Sequence, residues 1–327
     1  MLTKRTFGAL AGAAILALVA GTASAQTVTL RSTDIHPDGY PTIEAVKHMS
    51  KLLEERSKGR IKINVFHSAQ LGQEKDTIEQ TRFGVIDMNR INMAPFNNLI
   101  PATNVPSLPF IFRSVDHMRK VMDGPIGDNL LKEFEKHDLV GLAFYDSGSR
   151  SFYNSKRAIN TPADMKGLKI RVQQSDMFVS LVSALGANAT PMNFGEVYSG
   201  LQTGVIDGAE NNWPSYESTK HYEVAKFYSL TEHSLSPEVL VMSKKSFDKL
   251  SAEDKALVRA AAKESVAKMR ELWDAREKAS EAKVKAGGAV VNAVEKQPFI
   301  DAMKPVYDKF VTDAKLKDMV SAIQAVK

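Results

Sequence analysis

The chain has no cysteine in 327 residues. That excludes disulfide staples, thiol catalysis, cysteine metal sites and a lipid anchor on an N-terminal cysteine. It also lacks a membrane span: beyond its first 25 residues, no apolar run approaches the roughly 20 residues that a spanning helix needs. Catalytic signatures are missing too. The seven histidines (His36, His48, His67, His117, His137, His221, His233) show no HExxH or other metal-ligand spacing. There is no G-x-S-x-G elbow, Walker loop or dinucleotide-binding glycine pattern. No enzymatic activity and no cofactor are therefore expected.

A one-sided charge pattern is also absent. The formal net charge is +5 and the pI near 9.1, but Lys and Arg are scattered among Asp and Glu, most densely over 244–285. That is the pattern of a solvated helix face, not of a phosphate-binding stripe, so no nucleic-acid partner is expected.

The N-terminus carries an address. Lys4 and Arg5 precede an apolar stretch from Phe7 to Ala20 and a small-residue tail, Ala23-Ser24-Ala25. This is the order of a secretory signal peptide with an A-x-A cleavage site. Cleavage after Ala25 leaves about 300 residues, enough for two lobes with separate cores, and with Lys4 and Arg5 gone the net charge falls to +3. With 43% hydrophobic and 25% charged residues, the rest reads as globular.

Strand-like and helical patterns alternate along the mature chain. Strands are expected at Val28–Ser32, Arg60–Phe66, Val85–Asn92, Leu139–Tyr145, Leu168–Val172, Val205–Glu210 and Val239–Ser243. Helices are expected at Thr42–Arg56, Glu74–Phe83, Val115–Met122 (capped by Ser114), Ile126–His137, Met177–Leu185 and Phe194–Thr203. Ser251 caps a further helical pattern that runs unbroken to Ala286, where Gly287-Gly288 stops it. At about 1.5 Å per residue that helix is roughly 50 Å long, more than one small lobe. The β-then-α order predicts largely parallel sheets covered by helices.

Three polar stretches fall at strand ends, where ligands bind in open α/β sheets: Ser147-Gly148-Ser149-Arg150, Lys169-Ile170-Arg171-Val172, and Asp207 through Trp213. Arg171 projects opposite Ile170 and Val172 by strand alternation. A guanidinium emerging from a sheet needs an anion, either an internal carboxylate or a ligand. Arg150 fits a surface ion pair or a ligand contact, and Asn211 a loop cap or a ligand contact. Trp213 reads as core packing or as a platform for a sugar ring, with core favoured.

The run Asn160-Thr161-Pro162-Ala163-Asp164-Met165-Lys166-Gly167-Leu168-Lys169-Ile170-Arg171 resembles the DctP-type solute-binding proteins of tripartite ATP-independent periplasmic (TRAP) transporters. So do Thr190-Pro191-Met192, Phe194, Glu196-Val197-Tyr198, Leu201-Gln202-Thr203-Gly204 and Asp207-Gly208-Ala209-Glu210-Asn211. The likeness extends from His36-Pro37 to the long C-terminal helix.

The resemblance implies an α/β, two-lobed periplasmic binding protein fold with a hinge and a long helix spanning both lobes. After a signal peptide at 1–25, lobe I comprises 26–148 plus 237–276, and lobe II 149–236 plus 277–327. The family's defining arginine falls on Arg171, its second basic ligand on Arg150 and its asparagine on Asn211, with Ser147 in the neighbouring polar stretch. His36, Glu74, Arg90 and Asn92 would meet the ligand's other end. Arg90 and Asn92 share one strand face, so they reach the cleft together or not at all. Glu74 suits sugar hydroxyls better than a second carboxylate; it is equally placed as an acidic first-turn residue of its helix, and His36 as a turn residue before Pro37.

Glu74, Arg90, Asn92 and Asn211–Tyr216 together look most like family members that bind hexuronic acids. The expected role is capture of a uronate-like organic acid in the periplasm, by a monomer, for TRAP membrane permease subunits. A C4-dicarboxylate or other organic acid is the alternative solute, and a ligand-dependent sensor the alternative role.

Overall fold

A computed structural model describes residues 27–327; the signal-peptide reading of 1–25 lies outside the described residues. Eleven strands appear among them: β1 (Val28–Thr33), β2 (Ile61–Phe66), β3 (Met88–Asn92), β4 (Leu139–Tyr145), β5 (Arg150–Asn154), β6 (Lys169–Val172), β7 (Asn188–Pro191), β8 (Gly208–Asn211), β9 (Phe227–Ser234), β10 (Glu238–Ser243) and β11 (Val290–Ala293). They form two sheets, ordered β2-β1-β3-β10-β4 and β11-β9-β5-β8-β6-β7.

Alternation made β2 legible: Ile61 and Ile63 are buried while Lys62 and Asn64 are exposed. The sheets are mixed where largely parallel ones were expected: β1 with β2 and β3, β6 with β7 and β8, and β9 with β11 pair in parallel, and the rest do not. β10 runs antiparallel to β3 and β4, and β5 antiparallel to β8 and β9. Chain path explains this. The chain leaves the first sheet through β4, enters the second through β5, and returns from β9 into β10 at the same boundary, where Tyr145 faces Glu238 and Arg150 faces Ser234. Strands that exit and re-enter at one place must run opposite ways.

Other corrections are local. The strand expected at Val85–Asn92 starts only at Met88, because the Val85 and Ile86 amides turn back to the Gln80 carbonyl. The strand expected at Val205–Glu210 becomes β8, since the Ile206 amide donates to the Gly200 carbonyl. The helix expected at Ile126–His137 is α-helical over Pro125–Glu133 and continues as a 3-10 turn, Phe134–His137. A 3-10 turn, Phe194–Glu196, likewise opens the helix Val197–Thr203.

The long helix runs over Ala252–Ala286, 35 residues, and the Ser251 hydroxyl accepts from the Asp254 amide at 3.0 Å as its cap. Val258, Ala261, Met269 and Trp273 pack into the core of the first sheet, and Val284 into a cluster beneath the second. One rigid element therefore spans both lobes. A third apolar cluster includes Ile91, Phe144 and Val239 from the first sheet and Phe152, Ile170 and Val172 from the second. No helix among the described residues is long and apolar enough to cross a membrane.

Candidate functional site

Between the sheets lies a cleft lined by Ile35, His36, Glu74, Arg90, Asn92, Arg150, Arg171, Gln173, Phe194, Asn211, Asn212, Ser215 and Glu238. Seven of the eight residues singled out in the sequence meet there. Ser147 does not line it: its carbonyl and hydroxyl accept from Asn212 Nδ2 at 2.7 and 3.3 Å, bracing the link between β4 and β5. Trp213 is core, stacked on Tyr228 with ring centroids 3.9 Å apart.

Three arginines share this cleft, each at most 3% exposed, yet their surroundings differ. Arg90, on β3, donates through Nε to Asp34 Oδ2 at 2.8 Å, through Nη2 to Asp34 Oδ1, and through Nη1 to Glu238 Oε2 at 2.5 Å. Arg150, opening β5, donates through Nε and Nη2 to the two carboxylate oxygens of Glu210 at 2.6 and 2.8 Å, and through Nη1 to Asn211 Oδ1 at 2.9 Å. It is a buried pair, not a surface one.

Arg171, on β6, has no carboxylate partner among the described residues. Its Nε and Nη2 donate to the Met192 carbonyl at 2.9 and 2.8 Å, and Phe194 lies 5.8 Å from the guanidinium carbon. Nη1 makes no hydrogen bond to a described residue. Burial disfavours its charge and lowers its pKa, with Glu210 opposing from a distance. A buried cation without a counter-ion is costly unless an anion arrives.

The remaining groups are set by these pairs. Burial works against charge on Glu210, but Arg150 and His233 outweigh it and hold the carboxyl at about 2. Glu74 goes the other way. Largely desolvated with its side chain 12% exposed, 3.9 Å from Arg90 and near Glu238, it is pushed up to about 7. It sits in the first turn of its helix while its Oε1 accepts from the Asn92 amide at 3.3 Å. Burial and Arg90 lower the pKa of His36, whose ring stacks on Tyr40 and lies near Phe194. Asn92 Nδ2 donates to Glu238 Oε1 at 3.2 Å. Asn211 Oδ1 also accepts from the Asn212 amide, so it caps its own loop, while its Nδ2 makes no hydrogen bond to a described residue.

Sequence reasoning missed Gln173, Ser215 and Glu238. Gln173 was readable, directly after β6 and two residues beyond Arg171, where alternation carried one position further points it to the same side. Glu238 and Asp34 sit at strand ends where no local pattern marks them.

Contacts across the cleft hold its walls together: the Tyr40 hydroxyl lies 2.9 Å from Ser215 Oγ, and the Ser175 hydroxyl donates to the Asn97 side-chain carbonyl at 3.0 Å. The free space is about 20 Å³, room for about one water. A solute of sugar size enters only if the walls part. A larger groove of about 550 Å³ borders β4 and the long helix, but it opens on one lobe's surface and two of its charged pairs are closed on themselves, Arg270 with Asp123 and Arg259 with Glu135. Convergent buried polar groups make the interlobe cleft the candidate site. Among the described residues, no cluster of His, Asp or Glu is arranged to hold a metal ion.

Two lobes, joined by paired crossings and closing over a buried polar cleft, define a solute-binding protein. The chain belongs to the DctP family, bacterial extracellular solute-binding protein family 7, whose pattern matches residues 33–313. It is similar to a TRAP periplasmic solute-binding protein from Bradyrhizobium sp. BTAi1 solved with α/β-D-galacturonate: 58% identical, TM-score 0.90, covering 91% of this chain and 99% of that one. A Xanthobacter autotrophicus Py2 counterpart with bound β-D-galacturonate is 55% identical, TM-score 0.90, covering 91% and 100%. A Roseobacter denitrificans one with bound β-D-glucuronate is 45% identical, TM-score 0.89, covering 92% and 100%.

Proposed function

We propose that the protein captures a hexuronate of the glucuronate or galacturonate type in the periplasm and delivers it to a TRAP membrane permease. Arg171 carries the reading. Of three buried arginines in the cleft, it alone has no carboxylate partner among the described residues, and a guanidinium so placed is a receptor for a carboxylate. In this reading the solute's acid group docks end-on against Nη1 and Nη2, and Asn211 adds a hydrogen bond through Nδ2. Arg150, neutralised by Glu210, orders Asn211. Glu74, Asn92 and His36 face the hydroxyl-bearing end. The three solved relatives holding galacturonate or glucuronate, at 45–58% identity, support the choice of acid.

Residues 1–25 act as a cleaved export signal. Residues 26–148 with 237–276 form one lobe, 149–236 with 277–327 the other, and they part and close about the crossings near Gly148. The protein works as a monomer and leaves its solute chemically unchanged.

A thermal-shift and calorimetric screen of organic acids tests this. Stabilisation by D-glucuronate or D-galacturonate without response to succinate is the expected result. Response to succinate alone would replace the uronate with a C4-dicarboxylate, and conversion of the added acid would make the protein an enzyme.

A further inference from the structure

The two walls of the cleft carry unequal charge. On the second-sheet side, Arg150 and Glu210 cancel, leaving Arg171 as the net cation. On the first-sheet side, Arg90 is the sole guanidinium, and it faces Asp34, Glu238 and, at 3.9 Å, Glu74. Each of its three nitrogens is engaged; Nη2 also lies 2.5 Å from His36 Nδ1. Arg90 is therefore mainly a counter-ion to its own wall: the acids around it outnumber it, and only the second hydrogen of Nη1 is left without a bonded acceptor. What this wall shows to a solute is the carboxylates of Glu74 and Glu238 with the neutral groups of Asn92 and His36.

We infer that this wall is a charge filter that admits acids with one carboxylate and turns away those with two, with Glu74 as the residue that sets the distinction. The inference rests on the uronate reading and deepens it. A sugar acid anchored at Arg171 presents hydroxyls at its far end, and a hydroxyl donates to Glu74 or Glu238. Oxidising that far end to a second carboxylate replaces the donor with an anion. The new anion meets like charge in a buried site, where screening is weak. Specificity built this way comes from a repulsive element as much as from an attractive one.

Calorimetry on the mature chain at pH 8 with three solutes tests it: D-galacturonate, D-galactonate (acyclic, one carboxylate) and galactarate (acyclic, two). Galacturonate is expected to bind, with galactonate nearer to it than galactarate, and galactarate at least 100-fold weaker than galactonate. Glu74→Gln is expected to narrow that gap to about tenfold or less, chiefly by strengthening galactarate binding. Galacturonate binding together with galactarate within threefold of galactonate overturns the filter and leaves the uronate reading standing. So does a galactonate as weak as galactarate, which would make ring shape the criterion. Failure of the folded protein to bind either D-galacturonate or D-glucuronate overturns the uronate reading, and the filter with it. The wild-type comparison of galactonate with galactarate decides the matter even if the Glu74 variant does not fold.

Discussion

The two walls of the cleft treat buried charge in opposite ways. The first-sheet wall surrounds one arginine with acids and satisfies every nitrogen of it; the second-sheet wall satisfies Arg150 and leaves Arg171 without a counter-ion. Both walls carry guanidinium groups on strands, within the same cleft and at similar burial. A cleft arginine thus becomes a receptor through what its neighbours leave undone, and position alone does not identify it.

The comparison can be broken most directly at Arg90. Arg90→Ala strands Asp34 and Glu238 without their partner, and removing one member of a buried pair costs about 3–5 kcal/mol. Chemical denaturation should show a loss of that size; an unchanged midpoint would mean that the first wall is not held by its ion pairs. At Arg171 the same truncation should act on binding. Arg171→Ala is expected to cost about 2–5 kcal/mol of uronate affinity by calorimetry while leaving stability level or slightly raised, because an uncompensated buried charge is removed. Stability lost with affinity intact would reverse the roles of the two walls.

The acids sharpen the contrast through pH. Glu74 is raised to about 7 by burial, so between its unfolded value near 4.5 and 7 the folded protein holds a proton that the unfolded chain has released. Its contribution to stability is full below 4.5 and lost as pH rises through 7. Glu210, held at about 2 chiefly by Arg150 against its burial, contributes stability above 4.5 that is lost as pH falls towards 2. Glu74→Gln should flatten the fall between pH 5 and 8 by about 2 kcal/mol, read as melting temperature against pH, with the acid limb unchanged.

At the junction of the walls, Gly148 has φ +59, and a Cβ there would lie 2.5 Å from Glu277 Oε1 and 3.0 Å from Trp273 Cζ2. Gly148→Ala should therefore cost about 1–2 kcal/mol of stability, with an altered rate of solute association if the crossing is the hinge. Ser251→Ala, at the cap of the helix that ties the walls together, is the mildest, at about 1 kcal/mol. Its effect should appear in unfolding and leave affinity untouched.

Local chemistry made much of this readable in advance. Alternation marked β2 and put Arg171 on the face opposite Ile170 and Val172. Side-chain capping placed Ser114 and Ser251, whose hydroxyls accept from the His117 and Asp254 amides. Gly287-Gly288 bounded the long helix. β5 escaped notice because Arg150, Ser151, Phe152, Tyr153 and Asn154 are all buried, so no alternation between faces survives. β9 was missed as well, and without β5 and β9 the paired crossings and the antiparallel strands could not be foreseen.

By itself the sequence determined which segments form helices and strands with one wet face, where they stop, and which residues carry charge to strand ends. Those properties follow from neighbours a few positions apart. Only the tertiary structure decided which arginine stays free. Arg90 meets Asp34 across 56 positions and Glu238 across 148, and Arg150 meets Glu210 across 60. Pairing at that range depends on how the chain crosses between the sheets, and no local periodicity records it.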